Sequence, residues 1–268
     1  MNDNPIGVFD SGIGGLTVVR AINSILPNES VVYFGDTARL PYGSKSPETV
    51  IRFASEDSAF LIRQGIKLLV VACNTASSVS LPSLRESVDV PVTGVIEPGA
   101  RAAAEASGSG IIGVIGTLGT ISSGAYQKSL KIAGFTGNVI AQPSPMLVPL
   151  VEEGWLDNDI TRMVVAEYTA PLVREGIDTL VLGCTHYPLL KPVFRDILGE
   201  KVKLIDSAEA TAHTVAQMLD QRDILSDSST SRNRFYVSDI PLKFQEMAQR
   251  FLGSAVPLVT QVEVGGAE

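Results

Sequence analysis

Only two cysteines and two histidines occur in 268 residues, and that scarcity removes several chemistries at once. Cys73 and Cys184 are far apart in sequence, with no CxxC spacing, so a thioredoxin-type redox motif is absent. A zinc site built on Cys184 and His186 would need further ligands gathered from elsewhere, and no metal is expected. No run approaches the roughly eighteen uninterrupted apolar residues of a membrane span. Positive charge is in short supply too: 21 Lys and Arg against 29 Asp and Glu leave a net charge of −8. That balance argues against nucleic acid as the main partner, because phosphate contacts want a basic surface. Residues 1–7 carry neither a basic n-region nor an apolar h-region, so no secretory signal is expected. The sequence therefore predicts a cytoplasmic protein whose thiols stay reduced.

What is present is apolar and periodic. Hydrophobic residues make up 45% of the chain and charged ones 19%, enough for a sizeable core in one large domain or two small lobes. Residues 5–9 read as a strand, 16–26 as a helix, 31–34 as a strand, 49–64 as a helix and 67–72 as a strand buried on both faces. Short Val/Ile/Leu runs alternating with longer amphipathic stretches predict an α/β fold with a mostly parallel sheet flanked by helices. Residues 226–231 are polar and read as a surface loop.

The chain also says the same thing twice. Residues 60–75 (FLIRQGIKLLVVACNT) align with 171–186 (PLVREGIDTLVLGCTH), with seven identities that include Gly65/Gly176, Ile66/Ile177 and Cys73/Cys184. The opening strand recurs, Ile6-Gly7-Val8-Phe9-Asp10-Ser11 against Ile112-Gly113-Val114-Ile115-Gly116-Thr117. After the cysteine strands, Val95-Ile96-Glu97 is matched to Leu204-Ile205-Asp206. A lone free cysteine in an apolar strand is ordinarily a small buried hydrophobe; a second one in repeat register is not expected on that basis. The repeat predicts two similar pseudo-symmetric lobes, each with a thiol at the C-terminal end of a strand, where ligands of open α/β sheets bind. Facing lobes would set the two thiols on opposite sides of one cleft.

Two like groups across a cleft suit inversion at a carbon: one removes a proton while the other delivers one from the opposite side. A cysteine thiol, ordinarily near pKa 8.5, can be lowered at a helix N-terminus or beside a suitable partner, and Asn74-Thr75 and Thr185-His186 both begin strand-to-helix turns. The halves differ where helpers would sit. Asp10 has Gly116 as its counterpart, and His186 has Thr75, so each lobe contributes one titratable neighbour for its thiol. Structurally, Asp10 can equally cap a helix and His186 be a satisfied core group. The loop Ser11-Gly12-Ile13-Gly14-Gly15 matches neither the dinucleotide nor the Walker pattern, but its N–H groups can cradle a carboxylate.

Asp10-Ser11-Gly12-Ile13-Gly14-Gly15-Leu16-Thr17, Leu40-Pro41-Tyr42-Gly43, Cys73-Asn74-Thr75-Ala76, Gly183-Cys184-Thr185-His186-Tyr187-Pro188-Leu189 and Ile205-Asp206-Ser207-Ala208 together resemble the motifs of the glutamate racemases. They run in family order over nearly the whole chain. The resemblance implies interconversion of L- and D-glutamate without pyridoxal phosphate or any other cofactor, supplying D-glutamate for bacterial peptidoglycan. It implies Cys73 and Cys184 as proton carriers, with Asp10 and His186 assisting. Asp10-Ser11, Tyr42-Gly43, Asn74-Thr75 and Thr185-His186 match the substrate-contacting pairs, Thr117 a carboxylate contact and Glu152 a cleft residue. It also implies discontinuous lobes, 1–97 with 208–268 and 98–207, and a homodimer. Two alternatives stay open: a racemase of another acidic amino acid such as aspartate, and a two-lobed ligand-binding protein with incidental cysteines. A pyridoxal-dependent mechanism is disfavoured, since no lysine stands at a matching strand end.

Overall fold

In the computed structural model, which describes residues 2–228, 230–256 and 258–265, the two Gly-Ile pairs of the repeat do the same work. Gly65 and Gly176 take φ of +73° and +76°, a left-handed backbone that glycine adopts without steric cost after a helix. They follow α2 (Pro47–Arg63) and α8 (Asp159–Arg174). Ile66 and Ile177 then pack over a glycine of each lobe's opening strand. A Cβ on Gly7 would stand 2.5 Å from Ile66 Cδ1, and one on Gly113 would stand 3.0 Å from Ile177 Cδ1. The repeated glycines and isoleucines are thus one packing unit used twice.

The chain runs β1 (Ile6–Asp10), α1 (Leu16–Ile25), β2 (Val31–Gly35), α2, β3 (Leu68–Val71), α3 (Asn74–Ser87), β4 (Val92–Gly94) and α4 (Ile96–Ala106). The second set is β5 (Ile111–Gly116), α5 (Leu118–Ser122), α6 (Ala125–Ile132), β6 (Asn138–Pro143), α7 (Leu147–Glu152), α8, β7 (Thr179–Gly183), α9 (Lys191–Leu198) and β8 (Lys203–Asp206). It closes with α10 (Ser207–Asp220), β9 (Arg234–Val237), α11 (Pro241–Leu252) and β10 (Val259–Gln261). Every strand pair among the described residues is parallel. One sheet has the order β10-β9-β2-β1-β3-β4 and the other β6-β5-β7-β8. Two lobes, each a parallel sheet flanked by helices, are therefore present as the repeat predicts. The C-terminal segment adds β9 and β10 to the first sheet only.

Register makes the symmetry concrete. Ile6 pairs with Leu68 and Ile112 with Thr179, and both members of each pair are repeat counterparts. One sequence match is corrected. Leu204-Ile205-Asp206 lie beside Leu180, Val181 and Leu182, while Val92-Thr93-Gly94 lie beside Leu69, Val70 and Val71. The counterpart of β8 is thus residues 92–94 rather than 95–97, which turn into α4. A three-residue strand ending Thr-Gly carries too little apolar signal to compete with the Val-Ile that opens the helix.

β1, β2, β3 and β7 are buried throughout, the mark of strands covered on both faces. Side chains alternate between two cores. Phe9, Val32, Phe34, Leu69 and Val71 face one, with Phe53, Phe60 and Leu61 of α2. Ile6, Val8, Tyr33 and Val70 face the other, which is continuous with the second lobe's interior. α10 packs on both α1 and α4, so the lobes share a helical seam. Residues 226–228 and 230–231 form no helix or strand, as expected for a loop. Ser229 of that tract and residues 266–268 of the first lobe's expected span lie outside the described residues. Among the described residues no helix is long and apolar enough to cross a membrane.

Candidate active site

The C-terminal ends of β1, β3, β5 and β7 surround a cavity of about 520 Å³ between the two sheets. Cys73 and Cys184 both line it and are both free thiols. Cys73 is the N-cap of α3. Its Sγ accepts the Ala76 N–H at 3.5 Å, and the Ser11 hydroxyl lies 3.6 Å away. The expectation that a helix N-terminus lowers this thiol is corrected. Burial, and after it the charge of Asp10, push Cys73 up to about 12, outweighing the N–H contacts.

The second thiol has a different neighbourhood. Cys184 Sγ lies 3.8 Å from His186 Nδ1, and His186 Nε2 lies 3.2 Å from Glu152 Oε1. Burial opposes charge on this imidazole, but its hydrogen bonds to Cys184 and Glu152 and their negative charge prevail, raising it to about 10. The ring also meets Phe251 of α11 edge-on at 5.2 Å. One thiol is therefore held in its protonated form, and the other has an imidazolium beside it.

Asp10 does not line the cavity. It is 1% exposed and sits behind the glycine loop, where Oδ2 accepts the Gly12 N–H at 3.1 Å. Burial raises its carboxyl above the usual range, partly offset by the charge of His186 and by backbone N–H groups. With Gly12 N–H committed to Asp10, the loop is less of an anion cradle than its composition suggests. Its glycines serve close approach instead. A Cβ on Gly14 would stand 2.2 Å from Thr185 Oγ1 and 2.6 Å from His186 Nδ1. Gly14→Ala is thus expected to displace His186 and cost activity about 100-fold, the scale of a 1 Å misplacement. Steady-state rates beside a far-ultraviolet spectrum check this, and full activity with an unchanged fold would count against the packing argument.

The Tyr42 loop is anchored from below. The Tyr42 hydroxyl lies 2.5 Å from Asp36 Oδ2 and 2.9 Å from Asp57 Oδ2, and Arg39 binds both carboxylates and Glu56. The phenol's one proton lies between two carboxylates that both also bind Arg39. Burial, together with the nearby Asp36 charge, raises Asp57 above its ordinary range, opposed by Arg39 and the Tyr42 hydroxyl. This network fixes the 3₁₀ turn Tyr42–Ser44 and leaves Gly43 against Thr117, where a Cβ would meet Thr117 Cβ at 2.7 Å. Across the same seam, Thr75 Oγ1 meets Thr117 Oγ1 at 2.9 Å and Thr120 Oγ1 at 3.3 Å.

Ser11, Tyr42, Gly43, Asn74, Thr75, Thr117, Thr185, His186 and Glu152 are brought together with both cysteines around the one cavity; Asp10 alone stands behind its wall. Sequence reasoning missed the apolar part of that wall, Pro143, Pro145, Val148 and Pro149. The Pro-Ser-Pro run at 143–145 was the available signal. Among the described residues no group of three or more His, Cys, Asp or Glu is placed to hold a metal ion.

Residues 6–215 match the family described as Asp/Glu/Hydantoin racemase. The chain is 52% identical over 260 residues to the glutamate racemase of Geobacter metallireducens, covering 97% of this chain and 96% of that protein. Among solved structures, a glutamate racemase isoform from Bacillus anthracis superposes with a TM-score of 0.95 at 43% identity, covering 98% of both chains. The glutamate racemase of Francisella tularensis, solved in complex with D-glutamate, gives a TM-score of 0.92 at 38% identity, again covering 98% of both chains.

Proposed function

The chain belongs to the Asp/Glu/hydantoin racemase family, and from that premise we propose that it interconverts L- and D-glutamate by a cofactor-independent, two-thiol mechanism. The observation that carries this reading is a pair of cysteines at repeat-related strand ends, lining one cavity. In one direction Cys184, as thiolate beside the His186 imidazolium, takes the Cα proton and becomes a thiol. The Cys73 thiol gives up its proton to the opposite face of Cα and becomes the thiolate. In the other direction the roles exchange, with Ser11 and Asp10 nearest the charge on Cys73. Carbanion character at Cα is met by donors around the cavity, chiefly Thr75 and Thr185, while Asn74 donates to a substrate carboxylate. Ser11, Tyr42-Gly43 and Thr117 hold the substrate carboxylates.

Glutamate as substrate is supported by full-length similarity to the glutamate racemases and by the D-glutamate complex of the Francisella tularensis relative. Likeness to aspartate racemase structures, at 19% identity, extends to the fold alone. We further read D-glutamate as supplied to peptidoglycan synthesis in the cytoplasm, the lobes as 1–97 with 208–268 and 98–207, and the working form as a homodimer. The deciding experiment follows the circular dichroism of L-glutamate, with L-aspartate alongside, over purified protein. Decay of the glutamate signal to zero is expected. A decaying aspartate trace over a flat glutamate one would change the substrate, and two flat traces from folded protein would sink the catalytic reading.

His186 carries a pH prediction. An imidazolium that persists to about pH 10 predicts an alkaline fall in kcat/KM near that pH, absent in His186→Gln, which should also lose about 10²–10³-fold in rate. Because the folded value lies above the ordinary 6.5, this group's contribution to stability is complete below pH 6.5 and lost as pH rises through about 10. The variant's unfolding free energy should lack that slope. A wild-type profile flat through pH 10 would contradict the charged dyad.

A further inference from the structure

Tyr126 belongs to α6 of the second lobe and Asn74 opens α3 of the first, yet their side chains meet beside the cavity. The buried Tyr126 hydroxyl donates to Asn74 Oδ1 at 2.7 Å. The Ser207 side chain also lies by the phenol, but the phenol's one proton is directed to Asn74 Oδ1. That choice settles which end of the amide faces Tyr126. The carbonyl oxygen is taken, and the amide nitrogen is left on the other side. Asn74 Nδ2 is buried with no hydrogen-bond partner in the structure, in a residue that lines the cavity and is 3% exposed. A buried N–H pair without an acceptor is costly, and an incoming carboxylate oxygen is the acceptor it lacks.

From this geometry we infer that Tyr126 is a positioning residue that locks the Asn74 amide with its N–H group toward a substrate carboxylate. The inference rests on the amino-acid reading of the site. Without the hydroxyl, both amide orientations become available, and the flipped one turns a carbonyl oxygen against the carboxylate. Because the bond joins the two lobes, the amide is aimed only while they are together at this point. The effect belongs to binding, not to proton transfer, since Tyr126 lines no part of the cavity.

The test is Tyr126→Phe, which deletes one oxygen and keeps the ring in its buried site, with Asn74→Ala and the double variant completing a cycle. KM for both enantiomers of glutamate is expected to rise about ten-fold in Tyr126→Phe, the scale of one hydrogen bond, with kcat within about two-fold. In the Asn74→Ala background the same change is expected to add nothing, an outcome that a purely structural tyrosine would not produce. Asn74→Asp, which keeps the acceptor for Tyr126 and removes the N–H pair, should weaken binding at least as much and is read even if the phenylalanine variant folds poorly. Unchanged KM in Tyr126→Phe, the same loss in both backgrounds, or normal KM in Asn74→Asp would overturn the inference while leaving glutamate racemisation intact. A wild type inactive on glutamate would instead overturn both.

Discussion

Replacing either Cys73 or Cys184 by alanine is expected to lower racemisation on the order of 10⁴-fold, because each variant lacks one of the two groups that exchange a proton with Cα. The folds should survive. Both side chains are buried, 5% and 6% exposed, but each lines an existing cavity, so removing one sulfur enlarges a space already present. Stopped-time chiral analysis gives the rate, and thermal unfolding gives the control. Solvent deuterium gives a sharper reading. A variant with one thiol left can still take the Cα proton from its own side and return a deuteron to that side. Each variant is then expected to exchange Cα–H in one enantiomer only, and the two variants in opposite enantiomers. Either variant racemising at the wild-type rate, or both exchanging the same enantiomer, would end the two-thiol account.

The second large effect is on stability, at the opposite end of the same strand. Lys67→Ala is expected to cost about 3–5 kcal/mol, the usual penalty for stranding one partner of a buried ion pair. Lys67 Nζ lies 2.7 Å from Glu29 Oε2, with both side chains nearly inaccessible, and it also donates to the Asn2 and Ile224 carbonyls. Two hydrogen bonds and one ion pair from the ammonium thus tie the N-terminus, the approach to β2 and the 224–226 connection to one point. Glu29 accepts the Ser226 N–H with its other oxygen, so removing the lysine leaves a buried carboxylate with one backbone partner. Urea unfolding should show a lower midpoint at constant m. Glu29→Leu with Lys67→Met should recover most of the loss, since both charges go together. Catalysis at low temperature should be spared, because Lys67 and Cys73 are separated by about 20 Å of extended chain. A wild-type midpoint for Lys67→Ala would refute the assignment.

The repeat counterpart of Lys67 is Asp178, and the pair shows how far a sequence pattern reaches. Asp178 accepts from Ser107 Oγ and from the backbone of Gly108 and Ser109, so it too anchors the entry to its strand, with the opposite charge. The alignment marked both positions as equivalent through the glycine and isoleucine before them, but nothing local says which loop each will hold. The glycines were legible because their reason is local: a helix must end, and an isoleucine must fit over a strand. Asp10 was legible as important, but only the folded loop shows its carboxylate turned back on Gly12.

By itself, the sequence determined the parallel α/β plan, the two-fold repeat and the placing of both thiols at strand ends. Apolar period, glycine position and repeat register are properties of neighbouring residues along the chain. Tertiary structure alone decided the electrostatics: Glu152 against His186, Tyr126 against Asn74, a raised Asp57 carboxyl under Tyr42, and a Cys73 thiol raised where its helix position suggested the reverse. Those outcomes depend on which side chains meet across gaps of tens of residues and on how completely they exclude water, and a charge's cost is set by that surrounding medium rather than by its place in the chain.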